Sequence, residues 1–105
     1  MVIFLLMATP EKNVKNKISA LLKAYGADVC YYMPATGGYG RSGMPDYLGV
    51  AHGRAFAVEA KAPGGKVTAL QERELAAYGA AGGTTFIVRD DLSLGLLGTW
   101  LGFRG

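Results

Sequence analysis

Three side chains near the middle of the chain have types and spacing suited to phosphoryl chemistry: Asp46, Glu59 and Lys61. In a strand, residues two apart share a face, so Ala57, Glu59 and Lys61 lie on one side and Phe56, Val58 and Ala60 on the other. A tight turn at His52-Gly53 sets Ala51 opposite Arg54, and counting back along the hairpin brings Tyr47 opposite Val58 and Asp46 opposite Glu59. Directly opposed side chains have Cβ atoms about 5 Å apart, and like charges there repel unless a cation lies between them. Two hard oxygen donors suit Mg²⁺ or Mn²⁺, with waters and a phosphate oxygen completing the shell. Lys61, on the same face, could hold or activate a water or stabilise charge developing on the phosphate.

Other residues extend this centre, each with a plain alternative. Thr68-x-x-Gln71 is a capping box, yet Gln71 also shares a helical stripe with Leu75 and Tyr78 and so points to the sheet. Glu11 suits a helix N-terminus, and its place on the stripe of Ile18 and Leu22 makes it a candidate third carboxylate. Arg41 and Ser42, in a loop with exposed amides, suit phosphate contacts. Lys12, Lys15, Lys17 and Lys23 gather on one helix, a basic surface that steers polyanions. The glycine-rich stretch Gly38 to Gly43 lacks the Gly-Lys-Ser/Thr ending of a phosphate-binding loop and opens no helix. His52 reads as a turn residue, Cys30 as a small strand hydrophobe, and Tyr31, Tyr32 and Trp100 as core or interface.

The elements that must position these residues follow from local signals. Thr9-Pro10-Glu11 starts a helix reaching about Tyr25, with Val14, Ile18, Leu21, Leu22 and Tyr25 as its apolar stripe and Gly26 as its stop. Asp28 to Met33 predicts a strand and Ala35 to Met44 a loop. Tyr47–Val50 and Ala55–Ala62 form the hairpin, Thr68 opens a helix reaching about Ala80, Thr84 to Arg89 is a strand, and Ser93 to Leu101 a last helix. The order αβββαβα is that of a mixed α/β sandwich.

Composition bounds the rest. The chain has 105 residues, of which 50% are hydrophobic, with net charge +3 and one cysteine. That is a single domain spanning residues 1–105. Cys30 and the single His52 cannot build a disulfide or a cysteine-rich zinc site, which favours an intracellular, cytoplasmic setting. The apolar run Val2 to Met7 is far too short for a membrane span, lacks the features of a secretory signal and is expected to pack on the core.

Taken together, Pro45-Asp46, then Glu59-Ala60-Lys61, then Gln71 resembles the PD-(D/E)xK nuclease superfamily. More narrowly, Gly40-Arg41-Ser42-Gly43-Met44-Pro45-Asp46 followed by Glu59-Ala60-Lys61 is similar to its VRR-NUC branch, in the short stand-alone form typical of phages. The resemblance implies a restriction-endonuclease-like mixed β-sheet flanked by helices, in a metal-dependent phosphodiesterase. It implies that Asp46, Glu59 and the Ala60 carbonyl bind Mg²⁺ or Mn²⁺, that Lys61 positions the nucleophilic water, and that Gln71 is the family glutamine. Glu11 resembles the first-helix glutamate of related Holliday-junction resolvases.

The expected function is therefore a structure-selective DNA endonuclease acting on branched or duplex DNA, with a Holliday-junction resolvase as one form. The competing reading is a non-catalytic nucleic-acid-binding module using the same basic surface through Lys12, Lys15, Arg41 and Ser42. The carboxylate pair separates the two, because binding alone gains nothing from groups that repel phosphate, whereas phosphoryl transfer needs the metal they collect. Cutting paired strands requires two sites, so a homodimer is expected, with Val2–Met7 and Leu97–Phe103 as its interface.

Overall fold

The computed structural model describes residues 9–35 and 42–104. Val2–Met7, Arg41 and most of the glycine-rich loop, on which several expectations rest, lie outside the described residues.

Helix α1 (Pro10–Ala24) starts where its residues dictate: Thr9 caps it by accepting from the Lys12 amide at 3.2 Å, and proline occupies the first turn. It buries Val14, Ile18 and Leu22 and ends at Tyr25, before a 3₁₀ turn at Gly26–Asp28. Then come β1 (Val29–Tyr32), β2 (Tyr47–Ala51), β3 (Arg54–Ala60), α2 (Ala69–Ala80), β4 (Thr84–Val88) and α3 (Asp91–Gly102). The strands form a four-stranded mixed sheet in the order β1-β2-β3-β4, with helices packed on it, as an α/β architecture requires.

β1, β2 and β3 are antiparallel neighbours, whereas β4 runs parallel to β3, with Phe56 beside Thr84 and Ala60 beside Val88. A parallel neighbour needs a crossover, and α2 supplies it. Along β3 the side chains alternate: Phe56, Val58 and Ala60 join the core with Ile18, Leu22, Leu97 and Leu101, while Ala57 and Glu59 face the other way. That second face is not a wet charged surface. Ala57 and Glu59 are both buried, and α2 lies over them with Leu75 inward and the Tyr78 hydroxyl donating to the Phe56 carbonyl at 3.1 Å.

Two glycines let segments approach closely. A Cβ on Gly49 would meet the Cys30 carbonyl oxygen at 2.6 Å and the Phe56 ring at 2.7 Å, so β2 admits only hydrogen there. Gly43, at φ +83°, lies against the backbone of Leu70, where a Cβ would come within 2.7 Å. This contact seats the segment leading into Pro45-Asp46 on the first turn of α2.

Several expectations are corrected. β3 ends at Ala60, not Ala62, and Lys61 lies just beyond it, although its amide still donates to the Val88 carbonyl at 2.9 Å. Pro63 has no amide hydrogen to continue the ladder. α3 begins at Asp91 because Asp90 and Ser93 cap each other, Asp90 accepting from the Ser93 amide at 2.8 Å. Leu97 and Leu101 are fully buried in the core, so they cannot form a dimer interface; the exposed apolar residues of this region are Leu92, Leu96 and Phe103. Cys30 is exposed, because it points outward from β1, and Tyr32 is exposed beside it. No helix among the described residues is long and apolar enough to cross a membrane.

Candidate active site

The β2–β3 hairpin delivers the first two groups. Its register runs from Ala51 beside Arg54 to Tyr47 beside Val58, the pairing that the turn at His52-Gly53 requires. His52 adopts φ 52°, and its ring also meets the Leu101 carbonyl at 3.1 Å, so it ties the turn to the end of α3 besides forming it. Asp46 lies one residue outside the ladder and does not pair as a strand residue. Its Oδ2 instead accepts from the Ala60 amide at 2.8 Å, which swings the carboxylate across the end of β3 to Glu59. The backbone of Ala60 thus orients one carboxylate, a role that residue spacing did not indicate.

Glu59 is 2% exposed, an unusual position for a carboxylate. Its Oε2 accepts from the Gln71 side-chain amide at 3.1 Å and lies 3.8 Å from Lys61 Nζ. Its Oε1 is buried and has no hydrogen-bond partner. A buried, unpartnered carboxylate oxygen is costly as it stands. Burial first, and then the neighbouring charge of Asp46, push the Glu59 carboxyl up to about 7, against the opposing pull of Lys61. Without a further cation, Glu59 therefore keeps its proton up to near neutrality.

Gln71 occupies both roles considered for it. Its side-chain carbonyl oxygen accepts from the Thr68 backbone N–H at 2.9 Å and its backbone N–H donates to the Thr68 hydroxyl at 3.2 Å, closing the capping box. The Nε2 of the same carboxamide donates to Glu59.

Glu11 stands at the rim with nearly half of its side chain exposed, and it pairs with Lys15 at 3.6 Å. Lys15 also reaches Asp46 Oδ1 at 3.5 Å. Burial works to discharge this lysine, but Asp46 and Glu11 outweigh it and hold its ammonium above the usual lysine range. Glu11 therefore connects to the carboxylate pair through a lysine rather than by joining it directly. Asp46 and Glu59 are the two carboxylates that meet at this point, with Glu11 one lysine away.

The expected nucleic-acid contacts are distributed unevenly. Ser42 is exposed beside the site, and Lys12 is exposed at the start of α1. Lys17 is paired with Asp91 at 3.1 Å, which ties α1 to α3 instead of leaving it free.

Arg54 is a structural residue that the sequence reading missed. Its guanidinium lies 4.0 Å over the Trp100 ring and donates to the Trp100 and Phe103 carbonyls at 2.8 and 2.5 Å, capping the C-terminal end of α3. A signal was present: an arginine directly after the hairpin turn, in a chain whose last helix ends on Trp100 and Phe103.

The fit of a divalent cation rests on the donors themselves. Glu59 Oε1 is buried without a partner, and the adjacent Asp46 carboxylate repels its charged form, so a hard cation would satisfy both defects. Compared with protein-family models and with curated protein sequences, the chain matches none.

Proposed function

We propose that this protein is a metal-dependent DNA endonuclease hydrolysing phosphodiester bonds, a member of the PD-(D/E)xK superfamily close to its VRR-NUC branch. The observation that carries this reading is the buried Glu59 carboxylate, with one oxygen unpartnered, set against Asp46 and flanked by Lys61 and Gln71. Burying a carboxylate beside another with one oxygen unpartnered is costly, and a bound cation would offset that cost.

Asp46, Glu59 and the Ala60 carbonyl would hold Mg²⁺ or Mn²⁺, which supplies Lewis-acid polarisation of the phosphate and a more acidic water. The remaining chemistry belongs to the chain. The Ala60 amide and Gln71 fix the two carboxylates before substrate arrives, so little reorganisation is needed at the moment of reaction. Lys61 Nζ, beside Glu59 and mostly buried, positions the attacking water by donating to its oxygen. The phosphodiester then gains an oxygen from water and loses the sugar oxygen as an alcohol. Lys12, Arg41 and Ser42 hold the flanking phosphates.

The protein acts as a homodimer in this reading, since one chain provides one site and two strands need two cuts. Leu92, Leu96 and Phe103 supply exposed apolar surface for the contact. The test is incubation of the purified protein with labelled linear, flapped and four-way DNA, with and without Mn²⁺. Mn²⁺-dependent cleavage, strongest on one branched form, is expected. Absence of cleavage on every form, at any Mn²⁺ concentration, would leave a binding module and overturn the enzyme reading.

A further inference from the structure

We propose that Lys15 is an internal counter-ion that neutralises Asp46 in the resting protein and transfers to a nucleic-acid phosphate when a divalent cation takes its place. This deepens the cation-site reading above and rests on it. Three observations carry it.

First, the lysine sits where an external cation would compete with it. Asp46 Oδ2 is fixed by the Ala60 amide, and Lys15 Nζ approaches the remaining oxygen, Oδ1, at 3.5 Å while also lying 3.6 Å from Glu11. A cation bound through Asp46 and an ammonium at that distance repel each other.

Second, the placement is built into the fold. Tyr47, the residue after Asp46, is fully buried, and its hydroxyl donates to the Lys15 carbonyl at 2.9 Å while sharing a hydrogen bond with Ser19 at 2.9 Å. The start of β2, directly after Asp46, is therefore pinned to α1 at the turn that carries Lys15.

Third, the lysine has somewhere to go. A groove of about 360 Å³ lined by Glu11, Lys12, Lys15, Asn16 and Met33 opens beside it, and about a third of its side chain is exposed. A flexible four-carbon stem lets the ammonium exchange a carboxylate for a phosphate without moving the helix. Nucleic acid and cation should consequently bind with positive, reciprocal coupling.

The test is calorimetric titration of Mn²⁺ into the full chain without nucleic acid, at fixed ionic strength. Lys15→Met, at a part-exposed helical position that methionine suits, should bind Mn²⁺ about tenfold more tightly than wild type, the scale set by one charge at this separation. Lys15→Arg keeps the charge and should titrate like wild type. With Ca²⁺ and a labelled duplex, added DNA should tighten cation binding in both proteins, and by a clearly larger factor in wild type than in Lys15→Met. Equal or weaker Mn²⁺ affinity in Lys15→Met overturns the proposal. If Asp46→Asn and Glu59→Gln then abolish Mn²⁺ binding, the cation site stands and only the role of Lys15 falls. If both of those variants bind Mn²⁺ as wild type does, the cation lies elsewhere and both readings fall.

Discussion

The Gln71 side chain spans two structures at once: its carbonyl oxygen closes the cap of α2 on the Thr68 amide at 2.9 Å, and its amide holds Glu59 Oε2 at 3.1 Å. A single residue thus couples the start of a helix to the orientation of a buried carboxylate. The two roles separate experimentally. Thr68→Ala removes the hydroxyl half of the cap and should cost about 1 kcal/mol of stability with cleavage retained. Gln71→Ala loses the partner of Glu59 as well, and cleavage should fall roughly 10- to 100-fold, as when a residue orienting a metal ligand is removed. Urea melts and single-turnover rates on both variants check this; equal rates would confine Gln71 to capping.

Asp46→Asn, Glu59→Gln and Lys61→Ala should each remove most cleavage while the far-ultraviolet circular dichroism stays that of wild type. Their side chains surround the same point but contribute little to the apolar core. Near wild-type turnover in any one of them would remove that residue from the mechanism.

The pH dependence of stability in chelator follows from Glu59. Its carboxyl, near 4.5 in the unfolded chain, rises to about 7 in the fold, so the folded state binds the extra proton between those values. Metal-free stability should therefore be greatest below about pH 4.5 as far as this group is concerned, fall as pH rises to about 7, and level off above it. The loss should reach about 1–3 kcal/mol. Glu59→Gln should be flatter over this range and more stable than wild type at pH 8, measured by urea unfolding in EDTA. A wild-type stability rising from pH 5 to pH 8 and unaffected by Glu59→Gln would contradict the assignment.

Mg²⁺ or Mn²⁺ should support cleavage, and Ca²⁺ should support binding with little turnover, because its larger, looser coordination activates water less. EDTA should stop the reaction. Full activity in chelator would remove the metal from the mechanism.

Arg54→Met should destabilise the protein by about 2–3 kcal/mol without touching the carboxylate pair, because two carbonyls at the end of α3 and the face of Trp100 lose a shared cation. Thermal unfolding gives the loss. A melting temperature equal to wild type would make this cap dispensable.

The local signals were legible because they depend on neighbours in sequence. Thr9-Pro10 and Thr68-x-x-Gln71 start helices through their own side chains and backbone. The His52-Gly53 turn fixed the hairpin register, since a two-residue turn leaves one way to count back to Tyr47 and Val58. The proximity of Asp46 and Glu59 followed from that count.

Tertiary structure decided what surrounds those residues. Alternation along β3 puts Glu59 and Phe56 on opposite faces, but it cannot say that α2 will cover the second face and turn a wet carboxylate into a buried one. Lys15 meeting Asp46 and Arg54 capping α3 join positions far apart in the chain, so no spacing rule reports them. Leu97 and Leu101 have the helical spacing of an interface as much as of a core, and only the packing of α3 on the sheet separated those outcomes. Sequence fixes which groups can point the same way, through the 2-residue and 3.6-residue periods of the backbone. What they point at depends on long-range contacts, and here those contacts set the burial of Glu59 and hence its charge.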